Sequence, residues 1–126
     1  MLEKRNAENA GFDLIFKNDA FKCAFITHSP LYSYGEISEM KRHNKTDEVF
    51  VLLEGAATML TLKDGVFMEE VLSRGTAYNV VAGTWHYLGV SEDAKLFVTE
   101  RHDTDATNTD VMKLEISYNL SQDKLK

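Results

Sequence analysis

Residues 35–55 read GEISEMKRHNKTDEVFVLLEG, and the second half of that stretch decides the fold class. Between Glu48 and Glu54 runs an apolar segment, 49–53, whose length suits one β-strand and falls far short of the ~18 residues of a membrane-spanning helix. Alternate side chains of a strand leave on opposite faces, so if Glu48 points inward, Phe50 and Leu52 do too, while Val49, Val51 and Leu53 point outward. Both faces are therefore apolar and both need cover. The N-terminal segment or a second copy of the chain can supply it on the outside, and a homodimer is the simplest expectation. Towards the N-terminus, the polar link Asn44-Lys45-Thr46-Asp47 separates Glu48 from His43 and reads as a tight connection between two antiparallel strands. Such a link brings an imidazole and a carboxylate to one point. Lys41 and Glu39 share the face of His43 by parity, whereas Asp47 faces away and is a poor substitute ligand.

The same period-two patterning continues on either side. It predicts strands over 12–17, 21–28, 36–42, 48–53, 57–62, 67–71, 77–81, 86–90, 95–101 and 111–117, bounded by Gly, Asn, Asp or Ser. Asp64-Gly65 is the turn signal of a hairpin. The first ten residues are polar and read as a short helix or a loose segment, and 103–110 reads as a connecting loop. Short strands at regular spacing with no long helix between them mean a β-sandwich or barrel. At 126 residues, with one proline and no low-complexity tract, the chain is expected to form a single domain, 1–126. Twenty acidic against fourteen basic residues give a net charge of −6, and the basic residues are scattered, which argues against nucleic acid as a partner. No apolar run of signal-peptide or membrane-span length is found, so a cytoplasmic location without membrane association is expected. The single cysteine, Cys23, lies in an alternating apolar stretch and reads as a buried, inert thiol. Trp85 and Tyr87 face away from His86 and are expected to pack; His28 reads as a turn residue, and Arg101-His102-Asp103 as a salt-bridged strand end.

Gly35, Lys41, His43, Glu48 and Gly55 stand at the spacing G-x5-K-x-H-x4-E-x6-G, and Gly75, Val81, Gly83, His86 and Val90 at G-x5-V-x-G-x2-H-x3-V. The pair of motifs, in this order and with a hairpin between them, resembles that of the cupins, whose motifs are G-x5-H-x-H-x3,4-E-x6-G and G-x5-P-x-G-x2-H-x3-N. The resemblance spans 35–90 and implies an all-β, cupin-type (RmlC-like) double-stranded β-helix or jelly-roll barrel. It also implies that His43, Glu48 and His86 hold a divalent metal ion, of which Zn, Ni, Fe and Mn all suit a nitrogen-and-oxygen donor set. Lys41 stands where the first motif histidine would be, Val81 replaces a proline and Val90 an asparagine. Two His and one carboxylate remain a competent metal site. An ammonium at Lys41 cannot coordinate while protonated. It can repel the ion, orient an anionic substrate, act as a base if desolvated, or pair with Glu39, so Lys41 is a candidate catalytic residue only.

Three functions fit this reading. The first is a metal-dependent cupin acting on a small molecule inside the barrel. The second is a metal-independent isomerase or epimerase of a sugar-type substrate, with histidines moving protons. The third is a non-catalytic module that holds a metabolite. The inward Phe50, Leu52 and Leu88 describe a partly apolar pocket and name no substrate.

Overall fold

The computed structural model describes residues 1–122, in which the chain forms β1 (Gly11–Lys17), β2 (Phe21–Thr27), β3 (Gly35–His43), β4 (Glu48–Glu54), β5 (Ala57–Lys63), β6 (Val66–Val71), β7 (Ala77–Val80), β8 (Trp85–Val90), β9 (Lys95–Arg101) and β10 (Thr109–Leu120). A 3-10 turn, Pro30–Tyr32, follows β2 and is capped by the Ser29 hydroxyl, which accepts from the Leu31 amide. Two five-stranded antiparallel sheets, in the orders β1-β2-β9-β4-β7 and β10-β3-β8-β5-β6, face each other in a jelly-roll arrangement of the cupin type. Every strand expected from the patterning is present. β10 is longer than its apolar pattern suggests, because a bulge between Lys113 and Tyr118 lets it follow β3 in two stretches. The first ten residues form no helix.

One local expectation changes. The link 44–47 does not join paired strands: β3 pairs with β10 and β8, while β4 pairs with β9 and β7 in the other sheet. It is an arch between the sheets, so His43 and Glu48 meet across the sandwich. The Asp64-Gly65 turn does close the β5–β6 hairpin, with positive φ at both residues (51° and 76°), as a two-residue turn of that hand requires.

The main core lies between the sheets and contains Ile26, Phe50, Leu52, Met59, Leu88, Leu96 and Val98. Its β4 members are Phe50 and Leu52, with Glu48 buried beside them, as the inward parity requires. A second cluster, with Met40 and Leu60 buried at its centre, collects Trp85, Tyr87 and Tyr118 on the far side of β8 from Leu88. The Arg42 guanidinium lies 4.5 Å from the centre of the Trp85 ring. On the outside of the first sheet, Val49 and Val51 are half-buried and Leu53 is exposed. Cys23 is buried, and burial pushes its thiol up from the ordinary value.

Gly55 shows why the first motif ends in glycine. Its φ is +73°, and a Cβ built there would lie 2.6 Å from Ala94 Cα and 2.8 Å from Ala94 N, both backbone atoms. Gly55→Ala is expected to destabilise the protein by roughly 2–4 kcal/mol, the sum of a left-handed backbone penalty and a clash with an immobile neighbour. Urea unfolding checks this, and an unchanged midpoint would show that the Ser91–Ala94 turn can move aside.

Candidate metal centre

The pairing register sets the site. In the first sheet Lys22, Glu100 and Glu48 lie directly opposite one another on β2, β9 and β4. In the second sheet Lys41 lies opposite His86 on β3 and β8, and His43 ends β3. Facing sheets bring these two rows together at one end of the core. Glu48, His86 and Glu100 are each buried, although the core around them is otherwise apolar.

His43 Nε2 and His86 Nε2 are each 3.3 Å from Glu48 Oε1. The ligating atoms of these three residues all lie within 4.8 Å of one another, and the two imidazoles meet edge to face at 5.4 Å. Both rings are held from behind: His43 Nδ1 is 2.8 Å from the Thr109 hydroxyl, and His86 Nδ1 is 2.9 Å from the Thr84 carbonyl. A carbonyl only accepts, so His86 Nδ1 carries a proton and donates. In the neutral ring the Nε2 lone pair then faces a carboxylate oxygen. Two lone pairs at that separation need a cation between them, either a second ring proton or a metal ion. Donor atoms that share one divalent ion with bonds of ~2.0–2.2 Å lie roughly 3.0–3.5 Å apart, which the 3.3 Å contacts match. Imidazoles fixed through Nδ1 and a shared buried carboxylate are the donor set and outer support of a divalent-metal site. The residues present fit the group that the motifs imply.

Glu100 was not singled out by sequence spacing. Its Oε1 is 3.6 Å from Lys22 Nζ and its Oε2 is 3.8 Å from His43 Nε2, with no hydrogen-bond donor within reach of Oε2 among the described residues. Lys22 donates its own short hydrogen bond, 2.6 Å, to the Thr104 carbonyl and so ties the 102–108 loop over the site. Burial, the charge of Glu48 and a hydrogen bond shared with it push the Glu100 carboxyl up to about 8, and Lys22 opposes the rise. Burial also raises Glu48, but donors from His43 and His86 outweigh it and hold that carboxyl well below the usual range. Burial and the neighbouring charge thus favour the protonated form at Glu100, and the imidazole donors favour the ionised form at Glu48. In metal-free protein, Glu100 favours the folded state fully below its unfolded value near 4.5, and this contribution is lost as pH rises through about 8. Urea unfolding is expected to show wild type losing on the order of 2–4 kcal/mol relative to Glu100→Gln between pH 5 and 8. A parallel pH dependence in the two proteins would place the proton elsewhere.

The other expected residues take clear places. Lys41 lines the cavity but is exposed, and among the described residues it forms no ion pair with Glu39. Asp47 points out of the barrel, as parity requires, and there accepts from Asn79 Nδ2 (3.0 Å) and the Ala82 amide (2.9 Å). It thereby pins the turn that leads to His86. Arg101 and Asp103 form the strand-end ion pair at 2.8 Å. Above the cluster opens a cavity of about 750 Å³, lined in part by Tyr32, Phe50, Leu88, Thr104 and Val111. Burial, and next the charges of Glu48 and Glu100, raise the Tyr32 phenol and keep it neutral.

No protein-family model matches the chain, and no curated protein matches it. Solved structures do. A cupin-2 domain containing protein from Shewanella frigidimarina is 22% identical, with 72% of this chain and 79% of that one aligned at a TM-score of 0.56. KdgF from Halomonas sp. is 15% identical, over 76% and 81% of the two chains, at 0.58. A mutant of the 3,4-ketoisomerase QdtA from Thermoanaerobacterium thermosaccharolyticum, in complex with TDP-4-keto-6-deoxyglucose, is 16% identical, over 70% and 63%, at 0.59. At these identities the likeness is one of fold: the chain has the cupin fold.

Proposed function

We propose that this protein is a small metal-binding cupin that holds one divalent ion at His43, Glu48 and His86 and binds a small molecule in the cavity above it. The observation that carries the reading is the orientation of the two imidazoles, each tied through Nδ1 and each aiming Nε2 at one buried Glu48 oxygen. When bound, the ion supplies Lewis-acid polarisation or dioxygen activation at the coordination positions that the protein leaves open. The chain's own residues do the rest. Thr109 and Thr84 fix the imidazoles, Phe50 and Leu88 exclude water from the cavity floor, and Lys22 holds the 102–108 loop in place. Lys41, at the cavity wall opposite His86, offers an ammonium to an anionic group of the bound molecule. Calorimetric titration of metal-stripped protein with Zn²⁺, Ni²⁺ and Mn²⁺ is expected to give one site per chain. Absence of saturable binding for all three would overturn the reading.

A second reading, metal-independent isomerisation of a keto sugar, draws on the Glu100 carboxyl, raised by burial, beside His43 and on the fold shared with a 3,4-ketoisomerase. There His43 and Glu100 would pass a proton α to a carbonyl. Turnover that survives complete metal removal separates it from the first. A homodimer joined through the outer face of β4 belongs to the proposal as well, since Val49, Val51 and Leu53 leave that face only partly covered. Sedimentation at micromolar concentration is expected to give twice the 14.3 kDa chain mass, and Val51→Glu to return it to one chain.

A further inference from the structure

The three-residue cluster leaves one anionic group of the site unused. Glu100 stands directly opposite Glu48 in the β9–β4 register, so both carboxyls leave the sheet on one face and enter the same end of the cavity. Like charges directly opposite on neighbouring strands repel. Among the described residues the ammonium paired with Glu100 answers this weakly: Lys22 Nζ is 3.6 Å from Oε1, beyond hydrogen-bonding distance, and is committed to Thr104. Oε2 is worse placed. It is buried, has no donor within reach among the described residues, and lies 3.8 Å from His43 Nε2, against the 3.3 Å spacing within the cluster. Glu100 is itself only 8% exposed. A buried carboxylate oxygen without a donor among the described residues, beside the His43 nitrogen and opposite a second carboxylate, is answered either by a proton held on the carboxyl pair or by a cation that displaces it.

On the metal reading above, we infer that Glu100 is the fourth protein ligand, filling through Oε2 the position that Lys41 vacates. Lys41 has no lone pair to give while protonated and sits at the exposed wall, on the opposite sheet from Glu100. The ligand set becomes His43, His86, Glu48 and Glu100, whose two carboxylates balance the charge of a divalent ion. A four-coordinate metal is then closed by protein alone, whereas a six-coordinate metal keeps two positions for substrate. The site accordingly favours six-coordinate ions such as Mn²⁺, Fe²⁺, Co²⁺ or Ni²⁺ for any chemistry, and carries no surplus positive charge to hold a polyanion.

Metal-stripped wild type, Glu100→Gln and Glu100→Ala are titrated with Co²⁺ and read by calorimetry and by visible absorption, with thermal melts of the metal-free proteins to confirm folding. Glu100→Gln preserves shape and removes a buried acid, so it is expected to fold. Glu100→Ala is expected to weaken Co²⁺ binding by more than the roughly 100-fold upper end of outer-shell effects and to change the ligand-field bands. Glu100→Gln, whose amide oxygen is a poor donor, is expected to shift the same bands. If wild type binds Co²⁺ and both variants keep its spectrum, Glu100 is no ligand and the three-residue site stands. If wild type binds no Co²⁺, the site and the fourth ligand fall together.

Discussion

Protein purified with His86→Ala is expected to carry almost no metal where wild type carries one ion per chain, and its affinity after stripping is expected to fall by about 100–1,000-fold. The magnitude follows from the size of such sites: binding worth roughly 10–16 kcal/mol, spread over three or four donors, loses about 2.5–5 kcal/mol with each donor removed, and a loss of about 100–1,000-fold lies inside that range. His86 is the donor to choose because its tautomer is settled by the Thr84 carbonyl, so its Nε2 has no role in the protein other than the one facing Glu48. His28→Ala is the control, as His28 lies outside the cluster. Asp47→Ala sits between the two. It removes the tether on Ala82 and Asn79, leaves every donor atom in place, and is expected to weaken binding by about tenfold through looser placement of the turn before His86. Elemental analysis and competitive titration read all three. Equal metal content in wild type and His86→Ala would turn the assignment towards the metal-free isomerase.

The strands were legible because the chain spends its apolar residues at period two and punctuates them with glycine, asparagine and aspartate. Glu48, Phe50 and Leu52 fall on one face of β4 for the reason the alternation gives, and the Asp64-Gly65 turn adopts the positive φ values that its residues permit. His43, Glu48 and His86 were legible from motif spacing, and the structure brings their side chains together. What spacing could not show is pairing. Glu100 belongs to the site because β9 lies between β2 and β4 in register, and that order is a product of chain folding rather than of any local signal. For the same reason the arch 44–47 resembled a hairpin: a short polar link looks alike whether it closes one sheet or crosses between two.

A weaker signal for Glu100 was nevertheless present. In β9 the residues Leu96, Val98 and Glu100 alternate with Phe97 and Thr99, so an acid sits on the face that two aliphatic residues mark as interior. Lys22 opens the series continued by Ala24 and Ile26 on β2 in the same way. An ionisable residue that completes an apolar parity series is a buried polar group in waiting, and buried polar groups need partners. Reading each strand for its one discordant inward residue marks Lys22, Glu48 and Glu100, the three that the register then places in one row.

That row is the last of three across the inner face of the first sheet, and the other two carry the stability. Ile26, Leu96 and Leu52 stand opposite one another, then Ala24, Val98 and Phe50, then Lys22, Glu100 and Glu48. Leu96 is fully buried at the centre of the first row. Leu96→Ala is therefore expected to cost about 3–5 kcal/mol, the range of a large cavity in a rigid core, and to lower the thermal midpoint accordingly. Leu96 is four residues along β9 from Glu100, or ~13 Å at a strand's rise per residue, and the Val98 row lies between them. Mutational effects at that separation are nearly independent. Metal affinity of the folded variant, measured well below its midpoint, is expected to stay within about threefold of wild type. A loss of affinity in step with the loss of stability would mean that the apolar rows also set the spacing of the ionic one, and that the sheet's curvature, not the ligands alone, holds the donor atoms at their separation.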